Sequence, residues 1–87
     1  MTVYTLSTGA VNPVFKKSRD AAKFMTEQDG FIALHPLSGY TIWVFDTLNN
    51  AKTARNRGRK KGIQFGTYIM VAKLDDDMQN LTILDKA

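Results

Sequence analysis

Tyr40-Thr41-Ile42-Trp43-Val44-Phe45-Asp46-Thr47-Leu48-Asn49-Asn50-Ala51-Lys52-Thr53-Ala54-Arg55-Asn56-Arg57-Gly58-Arg59-Lys60-Lys61-Gly62 changes character halfway along. Residues 40–45 are β-branched or aromatic and apolar on both alternating faces. That pattern predicts a strand in the middle of a sheet, covered on both sides. Asp46 or Thr47 is then a helix cap, and the period lengthens into a helix running towards Gly62. At 100° per residue, Leu48, Ala51, Ala54 and Gly58 share an arc of about 120°. Three of these four are small, so that face can lie close against a sheet.

Working outward, Val3-Tyr4-Thr5-Leu6 reads as a first strand, with a turn at Asn12-Pro13. Ser18 caps a first helix reaching about Gln28, with Ala21, Phe24 and Met25 towards the core. Asp20 in its first turn suits the helix dipole, and Gly30 stops it. Phe31 to Leu34 is a strand, joined to Tyr40–Phe45 by a hairpin loop His35-Pro36-Leu37-Ser38-Gly39. After Gly66, Thr67 to Leu74 forms a fourth strand. Asp75-Asp76-Asp77 makes a polar turn, and Leu81 to Leu84 a fifth strand. A short echo, Ser18-x-x-x-Ala22-Lys23 against Thr47-x-x-x-Ala51-Lys52, opens both helices. The order is β-α-β-β-α-β-β. It predicts a single α+β domain over 1–87, a ferredoxin-like two-layer sandwich with an extra C-terminal strand. Two helices cannot cover both faces of five strands. An apolar sheet face is therefore expected to remain open to a homodimer or another partner.

At 87 residues the chain has room for one domain, and 44% apolar residues supply a modest core. It has no cysteine, which excludes disulfides and thiolate metal sites and fits a reducing compartment. No basic n-region opens the chain, and no run approaches the roughly 18 apolar residues of a membrane span. The expected location is the cytoplasm (the host cytoplasm if phage-encoded), with no membrane.

Charge is the strongest functional signal. The net charge is +4, but no acidic residue lies between Asp46 and Asp75. That gap holds Lys52, Arg55, Arg57, Arg59, Lys60, Lys61 and Lys73, so segment 47–74 is +7 and the remainder −3. Arg55 and Arg59, and Arg57 and Lys61, are four apart. Such like-charge pairs destabilise a helix by roughly 0.2–0.5 kcal/mol each. Gly58 costs up to about 1 kcal/mol relative to Ala. Positive charge that folding does not need points to an anionic partner. Guanidinium forks fit phosphate, and Asn49, Asn50, Thr53 and Asn56 are interleaved as further hydrogen-bonding groups. Lys52, Arg55, Arg57, Arg59, Lys60 and Lys61 are therefore the candidate nucleic-acid contacts. Lys16, Lys17, Arg19 and Lys23 form a secondary basic patch.

Other constellations are weaker. His35 is the only histidine, too few for a metal cluster or a catalytic relay. Asp75-Asp76-Asp77 lacks calcium-loop spacing, and the glycines form no nucleotide-binding motif. Trp43, Tyr40, Phe45 and Tyr68 suit core packing better than base stacking. No metal, cofactor or catalytic site is expected. In size and charge the chain resembles small accessory proteins of bacteriophages. The resemblance implies a rival role, inhibition of a host or defence protein such as a toxin or nuclease. The leading expectation is a small basic non-enzymatic module binding RNA or DNA.

Overall fold

The computed structural model describes residues 1–7, 23–37, 40–63, 65 and 68–87. Its strands are β1 (Thr2–Ser7), β2 (Phe31–Leu37), β3 (Tyr40–Phe45), β4 (Met70–Leu74) and β5 (Leu81–Lys86). Helical residues 23–26 form α1, and Leu48–Lys60 form α2. The five strands make one sheet in the order β2-β3-β1-β4-β5, every neighbouring pair antiparallel. The chain is thus mixed α+β, with a five-stranded antiparallel sheet and two helices, as its patterning predicts. Ser18, Ala21, Asn12-Pro13 and the loop residues Ser38 and Gly39 lie outside the described residues.

Alternation along the strands sorts the core into two layers. Leu6, Trp43, Phe45 and Ile69 face the helices, where they meet Met25, Ala51, Ala54 and Ile63. Phe31 closes this layer with its ring edge-on to Phe45, centroids 5.9 Å apart. On the other face Val3, Ile42, Val44, Ala72 and Leu74 pack together, with Ile32, Leu81 and Ile83 at the margin. Thr5 is the buried polar residue of the sheet, and its hydroxyl donates to the Met70 carbonyl at 3.4 Å. Residues 42–45 are all buried. β3 is therefore covered on both sides, as its unbroken apolar run demands.

Two expectations need correction. The first is the hairpin loop. His35 and Pro36 belong to β2, which pairs through Leu37↔Tyr40, so the turn is tighter than the five residues 35–39. Pro36 offers no N–H, but β2 lies at the sheet edge, where a missing donor is tolerated. The second is the open apolar face. Val3, Val44 and Ala72 are fully buried there. His35 shares that face with its register partner Ile42. Its Nε2–H donates to the Gln79 carbonyl, in the turn between β4 and β5, at 3.1 Å. In a flat sheet β2 and β5 would lie about 19 Å apart, four strand spacings. The contact brings the turn between β4 and β5 to β2, a closure that accumulated sheet twist favours.

The turn between β4 and β5 holds itself. Asp77 Oδ1 accepts from the Gln79 N–H at 3.0 Å, and Asp75 Oδ2 accepts from Asn80 Nδ2 at 3.0 Å. Met78 adopts φ 60° within it. The three aspartates thus belong to a hydrogen-bonded hairpin turn. Among the described residues no helix is long and apolar enough to cross a membrane.

Candidate nucleic-acid interface

α2 begins and ends where its sequence says. Thr47 is the cap, and its hydroxyl accepts the Asn50 N–H at 3.1 Å. Asp46 Oδ1, beside the helix start, accepts from Asn50 Nδ2 at 2.9 Å. At the other end Gly62 takes φ +89°. The Ile63 N–H reaches back to the Gly58 carbonyl at 2.9 Å, and the Gly62 N–H to the Arg59 carbonyl at 3.1 Å. This is the Schellman pair of bonds, with Ile63 buried beyond it as the apolar plug. The last carbonyls of the basic helix are thereby satisfied by backbone, which leaves its cationic side chains for other work.

The buried stripe is Ala51, Ala54 and Gly58, as the wheel requires. Gly58 has a use that propensity alone hides. A Cβ there would meet the Phe65 ring at 2.7 Å and Met25 Sδ at 3.3 Å. The missing side chain is where Phe65 seats, and Phe65 stands edge-on to Trp43 at 5.8 Å between centroids.

Lys52, Arg57, Arg59, Lys60 and Lys61 are exposed, and Arg55 is half-buried. They span about 14 Å along the helix axis at 1.5 Å per residue. Arg55, Arg59 and Lys52 flank the buried stripe on one side, Arg57 and Lys61 flank it on the other, and Lys60 points directly outward. Arg57 donates to Gln28 Oε1 at 3.3 Å, a neutral partner beyond the end of α1. Among the described residues none of the six forms an ion pair. The Arg55 Nε is shut off from solvent and has no acceptor. Its stem is therefore laid against the protein body rather than extended into water. Trp43 Nε1 is a second buried donor without an acceptor.

Of the secondary patch, Lys16, Lys17 and Arg19 lie outside the described residues. Lys23 is exposed on α1. Trp43 and Phe45 are core residues, 4% and 0% exposed, whereas Tyr68 is 53% exposed with the Lys86 ammonium 4.0 Å above its ring.

One feature of the site is missing from the charge pattern. Beside the end of α2 lies an open groove of about 390 Å³, lined among the described residues by Arg59, Gly62, Ile63 and Phe65. Its sequence signal is faint: a lone aromatic three residues past the helix stop, in Gly62-Ile63-Gln64-Phe65-Gly66. Among the described residues no group of three or more histidines and carboxylates is placed to hold a metal ion. No protein-family model, curated protein or solved structure matches the chain.

Proposed function

We propose that this protein is a non-enzymatic module that binds the phosphate backbone of RNA or DNA through α2. Lys52, Arg55, Arg57, Arg59, Lys60 and Lys61 are the contacts. The observation that carries the reading is a capped helix bearing six cations with no carboxylate partner among the described residues. Cations that the fold leaves unneutralised release condensed counterions when they meet a nucleic acid, and that release drives binding. Asn49 and Asn56, exposed on the same helix, add hydrogen bonds to phosphate or sugar. For the fold, a ferredoxin-like sandwich with an added C-terminal strand is the finer proposal. Its support is the alternation of helices and strands, with β5 at the sheet's end.

The rival reading, an accessory protein that inhibits a host or defence protein, relied on a bare apolar sheet face as its second contact. The centre of that face is buried within the chain, and the same burial removes the motive for a homodimer across it.

The test is fluorescence anisotropy with single- and double-stranded RNA and DNA over a salt series. On duplex DNA the expected slope of log K against log salt is no steeper than about −5, from roughly 0.9 per phosphate and at most six contacts. The combined Arg55→Ala, Arg57→Ala, Arg59→Ala variant flattens that slope by about 2 to 3. Absence of binding to all four polymers at low salt overturns the proposal.

A further inference from the structure

The cations of α2 would serve a duplex and a single strand alike, but the groove at the end of the helix would not. We infer that this groove seats an unpaired nucleobase of the strand whose phosphates lie along α2. The protein on this inference prefers single-stranded to double-stranded nucleic acid, which rests on the phosphate-binding reading above.

Four observations carry it. The groove is continuous with the cationic surface, because Arg59 belongs to both. At about 390 Å³ it falls within the ordinary range for small-ligand clefts. Its aromatic wall is packed from behind: Phe65 is half-buried, fitted against Gly58 and edge-on to Trp43. Gly62 lines its rim in the left-handed region, with open space where a Cβ would project. An aromatic platform beside a cationic track is how proteins hold single strands, because every base has a π face to stack. A base inside a duplex has both faces covered by its neighbours, so it has no face to offer Phe65. Arg59, exposed and lining the groove, can pair with the adjoining phosphate or stack on the base.

The experiment compares oligo(dT) and oligo(U) of about 10 nucleotides with duplex DNA of the same length, by anisotropy at one low salt concentration. Four forms of the full chain are used: wild type, Phe65→Leu, Phe65→Tyr and Gly62→Asn. Leu keeps apolar bulk against Gly58 but has no ring, and Tyr keeps the ring. Asn tolerates the left-handed backbone that Gly62 adopts and adds a side chain at the groove rim. Wild type is expected to bind single strands more tightly than duplex. Phe65→Leu is expected to lose about tenfold or more on single strands, with duplex affinity unchanged. Phe65→Tyr retains binding, and Gly62→Asn weakens single strands alone. If Phe65→Leu does not fold, Gly62→Asn decides. Groove variants that bind both polymers as wild type does, or that weaken both equally, overturn this inference and leave the phosphate reading standing. No binding of any polymer by wild type overturns both.

Discussion

At the scale of single residues, two glycines show why conformational rules need the packed structure to give them a sign. Gly30 sits at φ +79°, and a Cβ there would collide with the Asp46 and Asn50 side chains. Gly30→Ala therefore combines left-handed strain of about 1–2 kcal/mol with overpacking of about 1–3. A loss of roughly 2–5 kcal/mol is expected, measured by urea denaturation. Gly58 is different because its backbone is helical. On propensity alone Gly58→Ala would gain about 1 kcal/mol. Seating of Phe65 on that position reverses the outcome, since overpacking costs about 1–3 kcal/mol. The expected result is a net loss of about 1 kcal/mol, seen as a Tm lowered by roughly 4–8 °C. A raised Tm would show that Phe65 gives way freely and does not brace the groove.

At the scale of the element, the charge of α2 suits its dipole at the end, where Arg57, Arg59 and Lys60 lie in the last turn, but not at the start. Its first turn carries no acidic residue, although that is where the dipole favours one. Asn49 is exposed there. Asn49→Asp should stabilise the chain by about 0.3–1 kcal/mol in thermal melts. The same change should weaken nucleic-acid binding, because it sets a negative charge beside the cation track. Opposite movements of Tm and affinity are the signature expected if the helix is charged for binding rather than for folding. Thr47 makes the converse test of the cap. Thr47→Ala removes the acceptor for the Asn50 N–H and should cost about 1 kcal/mol by denaturation.

At the scale of the whole molecule, the far face of the sheet is buried at its centre, and the turn between β4 and β5 reaches β2. The His35–Gln79 hydrogen bond joins β2 to the β4–β5 turn, which is remote from it in sequence and in sheet order. His35→Ala should destabilise by about 0.5–1.5 kcal/mol. Faster amide hydrogen exchange should appear in β2 and around the turn at 75–80, while β1 and β3 stay protected. Exchange that rises uniformly across the sheet would mean that the contact does not hold these two edges separately from the core.

Read from the chain alone, the elements were largely legible. β3 and both ends of α2 fall where the residues place them, because capping, left-handed glycine and apolar alternation act within a few bonds. The cationic face was equally legible, since the absence of acid from 47–74 is a property of the sequence itself. β2 was underestimated because Pro36 reads locally as a turn, and only its edge position makes it acceptable in a ladder. The fate of the second apolar face and the groove at Phe65 were decided by tertiary structure. Each depends on contacts between remote parts: the β4–β5 turn meeting β2 in one case, a ring fitted to a helix glycine seven residues away in the other. Local patterning carries no record of how such distances close.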